Sequence, residues 1–242
     1  MKIKEGGVYE TEKYGPIKVL KYSKWDDVDI KFLRTDSIKK VEASYVRRGN
    51  IRDLESKTIF GVGFNCERSD TTSRAGISAQ KVWYGMLSRC YDENSKAYPN
   101  YGGRGVHVCK DWHDFKKYEQ WFVKNYREGF FVDKDIIKYG NKIYCPDYCR
   151  FVPPEINAMV QNNKRQRKSN LKPGVCYRNK KYIARYSDRG QRIYLGRFNT
   201  EDEAYSAYLD AKSSAIQRVA EDYYLRGNID FDVYQSLIKW TV

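Results

Sequence analysis

Apolar and polar positions alternate through residues 1–64, as at Val28, Ile30 and Phe32, with breaks at Gly15-Pro16, Asp26-Asp27 and Arg34 to Ser37. A period of two puts alternate side chains on one face, so this stretch predicts short antiparallel strands forming a small β-barrel or open sheet. Its basic end, Tyr45 to Arg52, suits either a phosphate backbone or a solvated face. The alternation stops in CERSDTTSRAGIS, residues 66–78, which predicts a linker. A helix follows over residues 79–91, with Val82, Met86 and Cys90 at four-residue spacing. After the turn-rich YPNYGGRG comes a short strand, GVHVC. A second helix opens at Asp111 and carries Trp112, Phe115, Tyr118 and Phe122 on one side. The YGGRG segment suits a tight turn more than a phosphate cradle built around Arg104.

Residues 130–152 then predict a hairpin turning at Gly140 and Asn141, and Pro153-Pro154 opens a helix reaching Gln161. QNNKRQRKSNLK has no apolar period and reads as a basic linker. Three β-like stretches follow, Gly174–Tyr177, Tyr182–Ser187 and Arg192–Phe198. The next helix starts with a Thr200/Glu203 capping box and bears a stripe at Ala204, Ala207, Tyr208 and Ala211. A last helix is expected over Val233 to Trp240. The fold class expected is α+β and multidomain. It comprises a small β domain (1–65), a linker (66–78), a strand-strand-helix unit with flanking helices (79–163), a basic linker (164–172) and a three-stranded antiparallel sheet plus helix with a helical tail (173–242).

Charge changes this picture. Lys and Arg number 45 against 31 Asp and Glu, a formal charge of +14, which points to a polyanionic partner and away from small-molecule substrates. Between Gln161 and Arg192 eleven Lys or Arg residues meet one acid, Asp188. Hydrophobic residues at 41% and aromatic residues at 15% suffice for real cores. MKIKEGG has no small-residue cleavage site, and no run approaches about 18 apolar residues, so a cytoplasmic location with no membrane partner is expected.

In the C-terminal sheet, Tyr182, Ala184 and Tyr186 should face the helix, joined by Ile193 and Leu195. Arg178, Arg185, Ser187, Arg192 and Tyr194 then share the opposite surface. An Arg-bearing sheet face matches the major groove, where Arg can bond guanine edges. Lys164, Arg165, Arg167 and Lys168 of the linker would add phosphate contacts. GVCYR, KYIARYS, RIYLGRF and NTEDEAYSAYLDAK resemble the plant ethylene-response-factor DNA-binding domain, the Apetala-type fold, over residues 173–213. That resemblance implies double-stranded DNA as partner and the same five residues as readers. Cys176 replaces a usual Arg and Arg185 a usual acid, so the plant target sequence does not carry over.

The central segment holds Asp133 and Asp135 on a strand arm, and Glu155 and Asn157 on the following helix. Such oxygen ligands suit magnesium or manganese. VDKDIIKYGNKIYCPDYCRFVPPEIN resembles the HNH endonucleases, particularly phage-encoded homing-type proteins, some of which carry an Apetala-type domain. The resemblance implies a ββα-metal unit cleaving DNA phosphodiesters in a bacterial or phage-infected cell. Asp133 would be a metal ligand, with Asn157 or Glu155 the helix-side ligand. Lys134 stands at the general-base position, where an amine of ordinary pKa near 10.4 cannot accept a proton at pH 7. Either His107 supplies the base, or the chain is an inactive descendant that acts by occupying DNA. Six cysteines with no export signal suggest thiols, or a structural zinc on Cys90, Cys109, Cys145 and Cys149.

Overall fold

The computed structural model describes residues 1–65, 72–160 and 170–240. The chain is α+β, as its alternating and helical periods predict. It divides into two compact units, Met1–Lys124 and Asn125–Val242.

The first unit opens with an antiparallel sheet of β1 (Val8–Thr11), β2 (Gly15–Lys24), β3 (Asp27–Phe32) and β4 (Ile38–Val41), in that order. Ile17 pairs with Phe32 and Val19 with Ile30, so the apolar phase of each strand falls on one face. Ile17, Val19, Val28, Ile30 and Phe32 are buried there with Ala43, Val46 and Ile51. The basic end, which the alternation groups with the strands, begins instead as a helix, α1 (Ala43–Arg48). Its last turn carries Arg47 and Arg48, where cations suit the carbonyl end, and Gly49 closes it in the left-handed region.

The next helix, α2 (Arg74–Tyr91), begins earlier than expected and takes up the last residues of the predicted linker. The reason is Ser73, whose side chain accepts the Gly76 N–H at 3.0 Å. The buried stripe runs through Ala79, Trp83, Met86, Leu87 and Cys90, leaving Val82 at its edge. YPNYGGRG forms two short 3-10 turns, Tyr98–Asn100 and Gly102–Arg104, before the short strand β5 (His107–Val108). The helix expected from Asp111 is divided. Lys110–His113 is a 3-10 turn, and α3 (Phe115–Asn125) starts after Asp114, whose carboxylate accepts the Lys116 N–H at 2.9 Å. Trp112, Phe115, Tyr118 and Phe122 are all buried.

The second unit contains β6 (Phe131–Asp133), β7 (Ile143–Tyr144), β8 (Arg150–Val152) and α4 (Pro154–Val160). Further along the chain come β9 (Val175–Arg178), β10 (Lys181–Asp188), β11 (Gln191–Phe198), α5 (Glu201–Leu225) and α6 (Phe231–Ile238). A single hairpin closed at Gly140-Asn141 does not form. β6 pairs with β8 instead, Asp133 opposite Arg150. Asp133 Oδ1 accepts the backbone N–H groups of Asp135 and Ile136, both at 2.7 Å, and this turns the chain out of the strand.

Thr200 and Glu203 form the expected capping box, but α5 runs for 25 residues, well past the Ala211 end of the apolar stripe. Its first half places Ala204 against Val175 and Ala184 of the sheet. Its second half places Ile216, Val219 and Ala220 in a different core with Ile136, Val152, Ile156 and Val160, which Val233 and Leu237 of α6 complete. The strand-strand-helix segment and the end of α5 therefore share one core. The basic composition of residues 164–172 predicts a linker between these parts, whereas they meet in one core.

Candidate nucleic-acid interface

β9, β10 and β11 form an antiparallel sheet with β10 in the centre. Both hairpin loops have two residues, Asn179-Lys180 and Arg189-Gly190, all four at positive φ. This is the turn geometry whose twist matches that of the strands it joins. The short loops fix the register, and cross-strand partners then share a face.

On the side turned toward α5 lie Val175, Ala184 and Tyr186, all buried. Gly174 lets the chain pass close to that helix, since a Cβ there would meet the Tyr208 ring 2.0 Å away. On the other side Lys181 pairs with Arg178, Arg185 with Tyr194, and Ser187 with Arg192. Arg178, Arg185, Ser187, Arg192 and Tyr194, the five expected readers, are all exposed and share this face. Cys176 is exposed on it as well.

The sequence reading missed Arg197. β10 pairs Ala184 with Gly196 but Arg185 with Tyr194, so Leu195 is an extra residue in β11. Such a bulge shifts the alternation by one residue. Arg197, opposite Ile183, thereby joins the same face as Tyr194 and Arg192. Gly196 supports the bulge with φ 137°, a conformation side-chain-bearing residues rarely adopt. A glycine inside a strand pattern was the available signal. Of the expected helix-facing pair, Leu195 packs against the core of this sheet, while Ile193, opposite Tyr186, remains 42% exposed.

The front face thus carries Arg178, Lys181, Arg185, Arg192 and Arg197. The only acid in the three strands, Asp188, belongs to the opposite phase and is bonded to Arg218 of α5. Among the described residues none of the five cations is in an ion pair, and Lys181 donates to the Asn199 side-chain oxygen. Lys164, Arg165, Arg167 and Lys168 lie outside the described residues.

The residues expected to cut DNA are differently engaged. Lys134 is buried, and its ammonium donates to both oxygens of Asp135 at 2.8 Å and to the Asn141 carbonyl at 2.5 Å. The Asn141 side chain answers with bonds to the carbonyls of Lys134 and Ile143, at 2.9 and 2.7 Å. Lys134 therefore braces the loop between β6 and β7. Burial pushes the Asp133 carboxyl above its ordinary range, against the two N–H groups that favour its charge. Glu155 accepts from Arg189 Nε at 2.8 Å and from the Tyr223 hydroxyl at 3.1 Å, tying α4 to the β10–β11 turn and to α5. Asn157 sits in α4, its N–H bonded to the Pro153 carbonyl. His107, in the first unit, is exposed, with Nδ1 3.2 Å from the Gly105 carbonyl.

Among the described residues no group of three or more His, Cys, Asp or Glu side chains is gathered to hold a metal ion. Asp133 and Asp135 share one turn, but Asp135 faces the Lys134 ammonium and both oxygens of Glu155 have partners. The magnesium or manganese set of Asp133, Asp135, Glu155 and Asn157 is thus a poor fit to a divalent ion. The thiols of Cys90, Cys145 and Cys149 are buried and that of Cys109 is half-buried, with no zinc-like cluster among the described residues. No described helix is long and apolar enough to cross a membrane. Comparison of the chain with protein-family models, curated proteins and solved structures returns no match.

Proposed function

We propose that the chain binds double-stranded DNA through the front face of β9–β11 and acts by occupying its site, with the β6–β8–α4 segment serving as scaffold. The observation that carries this reading is the set Arg178, Lys181, Arg185, Arg192 and Arg197, exposed on one acid-free face without ion-pair partners among the described residues. Arg and Lys held this way can displace counterions from phosphates, and forked guanidiniums can read guanine edges. Tyr194 and Ser187 add hydroxyls between the cations.

Occupancy is favoured over cleavage because Lys134 is committed to Asp135 and Asn141, and Glu155 to Arg189 and Tyr223. Two experiments test the two halves. Fluorescence anisotropy should show tighter binding to duplex DNA than to single-stranded RNA at fixed salt. The logarithmic salt slope should be about −4 to −5 if all five cations meet phosphates, and less steep by about one unit for each that reads a base. Arg192→Ala should weaken binding to a selected site more than to random duplex. Equal loss on both would make Arg192 a phosphate contact, and a preference for RNA would overturn the DNA reading. Supercoiled plasmid with magnesium or manganese should remain intact. Cleavage that Asp133→Ala abolishes would replace occupancy with hydrolysis.

A further inference from the structure

A recess of about 350 Å3 lies between α4, the β10–β11 turn and α5. Tyr186 and Tyr208 form two of its walls, their ring centroids 6.0 Å apart, and Met159 adds an apolar side. Lys212 of α5 also lines it and is only 7% exposed. A lysine enclosed to this degree normally has a carboxylate partner, since Lys is rarely buried unless paired. Lys212 has none among the described residues. The two acids in the recess are bonded elsewhere, Glu155 to Arg189 and Tyr223, and Asp188 to Arg218. Burial alone holds the Lys212 amine below its ordinary range, with no acid counteracting it.

We propose that this recess binds a small organic monoanion, a carboxylate on an aromatic or apolar body, with the Lys212 ammonium as its counter-ion. The volume matches the lower range of small-ligand sites. Tyr186, Tyr208 and Met159 suit an apolar body, and the single uncompensated cation suits a single negative charge. Glu155 and Asp188 are each matched by an arginine, which leaves the Lys212 charge as the one to be met. Tyr186 and Asp188 belong to the helix-facing phase of β10 and only Ser187 is shared with the Arg-bearing face, so the recess stands whether or not that face binds DNA.

The test uses the full chain and three probes: benzoate, its neutral isostere benzamide, and inorganic phosphate. Backbone amide NMR signals of Tyr186 to Arg189 should shift saturably with benzoate, and at least about tenfold more weakly with the other two. Lys212→Met should remain folded by circular dichroism and weaken benzoate binding by about tenfold or more. Mass-mapped reductive methylation of the unsubstituted chain gives the answer without a variant, since benzoate should protect Lys212. The proposal is overturned by an absent benzoate shift, by undiminished binding to Lys212→Met, by phosphate binding more tightly than benzoate, or by unprotected Lys212.

Discussion

Lys134 makes three hydrogen bonds from within the protein, two to Asp135 and one to the Asn141 carbonyl. Its role is to hold the ends of a loop together. Lys134→Met keeps the stem and deletes the donors, leaving the Asn141 carbonyl buried without them. The expected loss is about 1–3 kcal/mol, read as a lower urea midpoint, and an unchanged midpoint would remove Lys134 from this role. The charge of Lys134 was legible in the sequence. Its burial was not, because that depends on a partner reached only after the chain turns at Asp133. His113 gives a prediction in pH. Burial holds its imidazole below the ordinary histidine value, and its Nε2 lies 3.2 Å from the Tyr91 hydroxyl. The unfolded chain then takes up a proton first as pH falls. The stability associated with this ring is full above about pH 6.5 and declines as pH falls from there through the depressed folded-state value. Urea midpoints should fall on acidification in the parent and fall less in His113→Gln. Equal slopes would contradict the burial argument.

At the scale of elements, the bulge at Leu195 decides which side chains reach the front of the sheet. Gly196→Val disfavours the φ of 137° that supports the bulge, and without the bulge simple alternation carries Arg197 to the face opposite Arg192 and Tyr194. Circular dichroism should retain the sheet, while affinity for a selected duplex falls by about tenfold or more, equivalent to about 1.4 kcal/mol. Unchanged affinity would mean that Arg197 and Arg192 need not act together. The strands themselves were readable, because KYIARYS alternates and the Thr200/Glu203 box marks where α5 begins. Arg197 escaped because counting by twos fails across a bulge. α1 escaped because ASYVRR is too short for a helical period to appear, and its clearest mark is the glycine that ends it. The β6–β8 pairing escaped because a carboxylate, not Gly140, redirects the strand.

In the second unit as a whole, residues far apart in sequence build a single core, with Ile136 and Val152 packed alongside Ile216, Val219, Val233 and Leu237. No local pattern announces such a core, so the sequence suggested a tethered reader and a separate central domain. Ending the chain after Arg226 removes Ile229, Val233 and Leu237, each nearly fully buried. Loss of even one large core side chain costs about 2–5 kcal/mol, so the truncated chain should lose the cooperative melting of this unit in calorimetry. An unaltered transition would make α6 an appendage. The length of α5 has a further consequence for how such a protein could be recombined. A cut between the reading sheet and the central segment must pass either before α5, leaving the sheet without its backing, or through a continuous helix whose two halves serve different cores. The three strands are therefore not an exchangeable cassette. A new binding specificity is more readily reached by replacing the outward side chains of β10 and β11 in place than by exchanging the sheet.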